Sequence, residues 1–320
     1  LNNQMAELDV ATSENNIQES ITQVYIQILY AAESVKVNEN TLQVSIAQRD
    51  RGQELLNAGS IAKSDLAQLE AQVSTDRYQL VTAQATLEDY KLQLKQLLEL
   101  DGENEMNIYL PALSDENVLA PLPTKRDVYI SALSLRPEIE ASKLNVEASE
   151  LGINIAKSSY FPTISLSAGI GTNHTSGSDF TFGEQVKNGW NNSIGLSISV
   201  PIFNNRQTKS AVQKAKLQYE TSMLSLLDEQ KALYKTIESL WLDANSAQQR
   251  YAAANEKLKS TQISYELISE QFNLGMKNTV ELLTEKNNLL QAQQEQLQAK
   301  YMAILNTQLL KFYQGDQLAL

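Results

Sequence analysis

The sequence predicts a mainly α fold with a small β part, and three observations predict it. The chain repeats itself at an offset of 216 residues: Asn57 and Gly59 fall on Asn273 and Gly275, Ile21 on Ile237, Leu66 on Leu282, and the acid Asp65 on the acid Glu281. Within each copy, apolar or small residues recur at alternating steps of four and three, the period of a coiled-coil seam. Between the copies, two short runs alternate strictly, the period of a strand. Two helical hairpins with unlike material between them make a pseudo-symmetric architecture, not a short-period solenoid.

The first copy carries its seam through Ile17, Ile21, Val24, Ile28, Ala31, Val35, Asn38, Leu42 and Ser45. An Asn57-Ala58-Gly59 break follows, and the return helix repeats every seven residues through Leu66, Val73, Leu80, Leu87 and Leu94. The second copy runs through Leu233, Ile237, Leu240, Ala244, Ala247, Tyr251, Ala254, Leu258, Thr261, Tyr265, Ile268 and Phe272. Residues 206–272 contain no Pro or Gly, which allows a helix ~100 Å long at 1.5 Å per residue. Its break is Asn273-Leu274-Gly275, and its return carries Leu283, Leu290, Leu297 and Ile304. Many seam positions are Ala, Ser, Thr or Asn, so each seam buries little area. At ~25 cal/mol per Å² this is a thin core for a free monomer. Such hairpins fit an assembly in which every helix has neighbours on both flanks. A static coiled-coil scaffold or stalk with a soluble β-hairpin cap is the alternative.

The stretch 103–125 reads as irregular, with Pro111, Pro121 and Pro123, and is followed by a short helix and another over about 136–158. Pro162 ends the helical pattern. In the first alternating run Ile164, Leu166, Ala168 and Ile170 face one way, and Thr163, Ser165, Ser167 and Gly169 the other. In the second, Ile194, Leu196, Ile198 and Val200 alternate with Ser193, Gly195, Ser197 and Ser199. Each run has the length of a membrane-crossing strand, with one apolar face and one face of small hydroxyls and glycines. Phe161, Phe180, Phe182, Trp190 and Phe203 lie near the ends, where girdle aromatics belong. The lipid-facing residues are then Ile164, Leu166, Ile170, Ile194, Leu196 and Ile198. The connection 173–190 reads as a long exposed loop. Two strands alone leave unpaired edges, which hydrocarbon does not tolerate. The offset places the first copy's strand pair before Leu1, so a longer protein is expected.

Composition narrows the function. A net charge of −12 disfavours nucleic-acid binding, which needs a basic footprint. The chain has no Cys, and its single His174 sits in the loop without metal-ligating neighbours. Neither a metal site nor a cofactor motif is expected, and no nucleophile elbow or phosphate loop marks an enzyme.

Arg136-Pro137-Glu138, Tyr160-Phe161-Pro162-Thr163-Ile164-Ser165-Leu166, and Val200-Pro201-Ile202-Phe203-Asn204-Asn205 before a long helix together resemble the TolC family of outer-membrane efflux channels. The tips Leu56-Asn57-Ala58-Gly59 and Phe272-Asn273-Leu274-Gly275, each followed six residues on by an acid, are similar to that family too. The likeness covers essentially the whole chain but lacks the family's first strand pair. It implies a homotrimer in the bacterial outer membrane, with strands closing a β-barrel in lipid and helical hairpins forming a periplasmic α-barrel tunnel. It also implies a periplasmic adaptor docking at Asn57, Gly59, Asn273 and Gly275, and an inner-membrane pump that supplies the energy. The channel would be no enzyme. The parts would be 1–102 for the first hairpin, 103–158 for an equatorial belt, 159–204 for the strand pair and loop, 205–313 for the second hairpin and 314–320 for a tail. The resemblance makes Asp65 and Glu281 acids of an entrance constriction and Lys277 a latch to Asp65. It departs at Thr284, where the family often has a second acid, and at Phe272 in place of a tyrosine.

Overall fold

The computed structural model describes residues 1–100, 108, 109, 111, 118–177 and 179–316. Most of the irregular stretch expected over 103–125, and most of the tail, lie outside them. The elements run α1 (Asn2–Asn57), α2 (Lys63–Leu97), α3 (Lys125–Leu135), α4 (Pro137–Ser158), β1 (Thr163–Gly171), α5 (Phe182–Asn188), β2 (Asn191–Ser199), α6 (Gln207–Asn273) and α7 (Thr279–Gln314). Two compact units result: Ala6–Glu140 with the chain from Glu229 onward, and Ala141–Asp228 with Leu1–Met5.

The larger unit is held by its seams. Leu233, Ile237, Ala244, Ala247, Tyr251, Ala254 and Phe272 are buried, and Leu240, Leu258, Thr261, Tyr265 and Ile268 are half-buried. In α1, Ile28, Ala31, Asn38, Leu42 and Ser45 are buried, but Ile17 is exposed. Asn38 is tolerated in the seam because its amide donates to the Ser34 carbonyl at 2.8 Å, four residues back. One core cluster joins Ile26 and Leu29 of α1 to Tyr251 of α6 and Leu297, Tyr301 and Ile304 of α7. A second gathers Val128 and Ala132 of α3 and Ile139 of α4 against Leu233, Ile237, Leu310 and Tyr313. There α3 starts at Thr124, whose hydroxyl caps Asp127 N–H at 3.2 Å, and α4 starts at Pro137, a residue suited to a first helical position.

The smaller unit contains the sheet. β1 and β2 are antiparallel, with Ile164 opposite Ile198, Leu166 opposite Leu196 and Ala168 opposite Ile194. Pro162 and Pro201 flank the pair, where the chain changes period and needs no helical hydrogen bond. The connection contains a short helix that its polar composition concealed. Thr181 and Glu184 form a reciprocal capping box, with Glu184 Oε2 accepting from Thr181 N–H at 2.9 Å. The remaining helical parts of this unit touch through Ser149 and Ser222, whose hydroxyls lie 2.8 Å apart.

Candidate functional site

The strand pair has no core of its own. Every large apolar side chain on it is exposed, from 62% for Ile198 to 85% for Ile194. Leu166, Leu196, Ile164 and Ile198 form one continuous apolar face across the two strands, with Ile170 and Ile194 in the same phase. The opposite face pairs Ser165 with Ser197, Ser167 with Gly195 and Gly169 with Ser193. Small residues let these side chains meet across the strands: a Cβ on Gly195 would stand 2.9 Å from Ser167 Oγ. Phe161, Phe180, Phe182, Trp190 and Phe203 are exposed around the strand ends. His174 packs edge-on against Phe182 at 5.2 Å between ring centres. In water this surface would be a liability, since exposed apolar patches and open edges invite association.

The two hairpin tips have the same backbone. α1 ends in a Schellman turn, with Ser60 N–H donating to Leu55 C=O at 2.8 Å and Gly59 N–H to Leu56 C=O at 2.9 Å. α6 ends in the same turn, through Met276 to Gln271 at 2.8 Å and Gly275 to Phe272 at 2.9 Å. Gly59 and Gly275 have φ of +75° and +71°, a left-handed region in which any side chain is strained. Beside them, Asn57 accepts from Gln53 at 3.1 Å, and the Asn273 carbonyl accepts from Arg51 at 3.4 Å. Leu55, Leu69, Phe272 and Leu282 close a small core that ties the tips together, with Ile61, Tyr265 and Leu283 around it. Gln48 donates to the Tyr265 hydroxyl at 2.8 Å across the same junction.

Within the chain the three expected entrance residues act locally. Asp65 accepts from Ala62 N–H at 3.0 Å, and Glu281 accepts from Asn278 N–H at 3.1 Å, so each carboxylate caps the first turn of its helix. Lys277 bonds Glu281 at 2.5 Å, not Asp65. That hydrogen bond, helped by the Asn278 N–H, holds the Glu281 carboxyl below its ordinary range.

Two charged clusters escaped the sequence reading. Lys286 of α7 is buried against Asp76 of α2 and Ser45 of α1, at 4% and 1% exposure for the Lys and Asp side chains. Burial pushes the Lys286 ammonium down, against the pull of Asp76. Gln72 donates to the second Asp76 oxygen at 2.9 Å. Elsewhere Arg136 is buried between Glu138 at 2.8 Å and Glu19 at 3.2 Å, with Tyr313 stacked 4.3 Å from its guanidinium. Burial opposes the Arg136 charge, but its hydrogen bond and attraction to Glu138 outweigh it and raise its pKa. Glu19 goes the other way: burial outweighs Arg136 and raises it. Burial beside Glu19 also pushes the Tyr313 phenol up to about 12. Arg136-Pro137-Glu138 was visible as a motif; its partners on α1 and α7 were not. Among the described residues no cluster of three or more His, Cys, Asp or Glu could hold a metal ion, and no helix is long and apolar enough to cross a membrane.

The family model described as outer membrane efflux protein matches residues 128–315. The chain belongs to this family. Outer membrane efflux protein BepC of Brucella suis biovar 1 (strain 1330) is 23% identical over 93% of this chain and 62% of its own length. Outer membrane protein TolC of Escherichia coli (strain K12) is 24% identical over 88% of this chain and 58% of its own. The chain therefore spans about three fifths of the length of these relatives. Among solved structures, the outer-membrane channel OprN superposes with a TM-score of 0.79 at 20% identity, covering 97% of this chain and 68% of that one. CusC, solved in a study of transmembrane channel formation, gives 0.81 at 18% identity over 98% and 71%. The fold of this chain is thus that of outer-membrane channels, long helical hairpins carrying antiparallel strands.

Proposed function

We propose that this protein is the outer-membrane channel of a tripartite efflux or type I secretion system. It is a passive conduit without chemistry of its own. Three copies assemble, their strands closing one barrel in the outer membrane and their hairpins one periplasmic tunnel. The single observation that carries this reading is the strand pair, whose continuous apolar face stands exposed opposite an uncharged face of Ser and Gly. Lipid on one side and water on the other satisfy both faces, and strands from the rest of the assembly satisfy the edges. A conduit also explains why the seams are thin: each hairpin is completed by neighbours on both flanks.

The tips are then the periplasmic entrance. Asn57, Gly59, Asn273 and Gly275 form two similar turns that a periplasmic adaptor can grip, and the adaptor couples the channel to an inner-membrane pump. Asp65 and Glu281, repeated around a threefold axis, place acids at the mouth and favour cations. Lys277 reaches Asp65 of a neighbouring hairpin only by leaving Glu281. Such an exposed exchange is worth about 0–1 kcal/mol, which suits a latch that must release. Channel formation is tested by adding purified protein to planar bilayers. Discrete conductance steps from a detergent-dependent trimer support the proposal, and a water-soluble, non-conducting rod overturns it in favour of a scaffold.

A further inference from the structure

The two hairpins differ in the stretch where their helices face one another. In the second, a groove of about 580 Å³ runs between α6 and α7, the size of a small-molecule site. Lys257 donates to Glu295 at 2.7 Å across the end nearer the tip, which fixes the antiparallel register of the two helices. That register sets Arg250 opposite Met302 and Ser246 opposite Asn306. The buried methyl groups of Ala247, Ala254 and Ala299 form the floor. By the 216-residue offset, Ser246 and Asn306 fall on Tyr30 and Tyr90 of the first hairpin. Those two phenols are neighbours: burial raises the Tyr30 hydroxyl, and Tyr90 adds to the rise. Asp243, Arg250, Lys257 and Glu295 fall on the uncharged Gln27, Ser34, Thr41 and Gln79. The second hairpin thus holds small polar side chains where the first holds two aromatic rings, and charges where the first holds none.

We propose that this groove binds a small aromatic acid that carries a hydroxyl or amino group at its far end. The ring follows from the repeat, because the first hairpin places phenols at the matching positions. The alanine floor offers a flat apolar bed, and the Met302 thioether suits contact with an aromatic edge. The polar ends follow from groups left without partners. Asn306 is only 7% exposed and lines the groove, yet among the described residues its amide has no hydrogen-bond partner. A buried amide in that state is costly until something entering the groove satisfies it. On the rim, Lys257 and Glu295 neutralise each other, whereas Arg250 and Asp243 have no ion-pair partner among the described residues. A guanidinium takes a carboxylate through two parallel bonds and stacks on ring faces, which makes Arg250 the seat of the acid. Ser246 and Asp243 stand one and two turns away along α6, roughly 6 and 10 Å at 1.5 Å per residue. There the Asp243 carboxylate can only accept, so the far end of the ligand must donate. The groove lies within one hairpin, and the proposal holds whether or not copies assemble.

The probe is the carboxylic acid of umbelliferone, a fluorescent two-ring phenol with its hydroxyl at the end away from the acid. Its anisotropy is followed as the purified full chain is added in detergent. Binding should saturate at one probe per chain. Arg250 is exposed, so Arg250→Gln leaves the packing intact and should weaken binding about tenfold or more. Umbelliferone itself, which lacks the acid, should bind weakly and should not distinguish the two proteins. Ser246→Tyr places the first hairpin's residue in the groove and should abolish binding, with circular dichroism confirming that the variant keeps its helices. No saturable binding to the unaltered protein would overturn the proposal. So would one affinity shared by the unaltered, Arg250→Gln and Ser246→Tyr proteins, which is what uptake of the probe by detergent would give. Equal affinity for the probe with and without its carboxylate would overturn it as well, because Arg250 would then not be holding an acid.

Discussion

The tips and the strand pair solve opposite problems with one chain. At the tips nearly everything is satisfied internally: two Schellman turns, two capping carboxylates, an apolar plug at Phe272 and Leu282, and a buried ion pair behind it. On the strand pair only the ladder between β1 and β2 is internal, and every apolar side chain faces outward. The difference teaches where each region gets its stability. The tips carry theirs within the chain, and so can be altered and measured in water. On the proposed reading the strands take theirs from lipid and from further strands, and so their substitutions should be silent until the assembly is in a bilayer.

The largest effect is expected at the buried Lys286–Asp76 pair. Lys286→Met leaves the Asp76 carboxylate buried and unpaired, which typically costs ~3–5 kcal/mol, and adding Asp76→Leu should recover most of it. Thermal unfolding of both variants checks this, and equal losses would show that the charge is not what matters. Next comes Leu196→Arg, expected to cost ~2–4 kcal/mol near the bilayer midplane, with Ser197 substitutions tolerated. Assembly yield in vesicles reads the ranking; the reverse ranking means the faces are exchanged, as a one-residue slip would do. Gly59→Ala and Gly275→Ala should each cost ~1–2 kcal/mol, because φ is positive and a left-handed alanine is strained. No atom lies within 4 Å of an added Cβ at either glycine, so the cost is conformational alone and should be equal at the two tips.

The smallest effect is the pH dependence of the second tip. Glu281 has its carboxyl lowered in the folded chain from an ordinary value of 4.5, by Lys277 and the Asn278 N–H. Its contribution is complete above that value and is lost as pH falls through the folded one. Hydrogen exchange at the first turn of α7 should therefore quicken in mild acid, and Glu281→Gln should remove that step. A step that persists in the variant belongs to another group.

Much of this was legible because periodicity is local. Alternation at 163–170 and 193–200 gave both strands and their faces, and the steps of four and three gave the seam from Leu233 to Phe272. The tips were legible from Asn57-Ala58-Gly59 and its copy. What escaped depends on partners far apart in the chain. Lys286 sits 210 residues from Asp76, and a lysine between Leu283 and Leu290 reads as solvated until α2 is seen to cover it. Arg136 stood in a motif, but Glu19 and Tyr313 carry no local sign of meeting it. The short helix α5 was hidden by the polar composition of its loop, although Thr181 and Glu184 have capping-box spacing. Asp65 and Glu281 were seen as a pair; that they cap their own helices follows from backbone geometry at Ala62 and Asn278.

The contrast between the two regions is tested most directly by cysteine scanning of the strands in lipid vesicles. The chain has no native cysteine, so each single replacement reports alone. Water-soluble thiol reagents should modify cysteines at Ser165, Ser167, Ser193 and Ser197 and leave those at Ile164, Leu166, Leu196 and Ile198 unreacted. Equal labelling at all eight positions, or the opposite phase, would contradict a strand pair set between lipid and a water-filled channel.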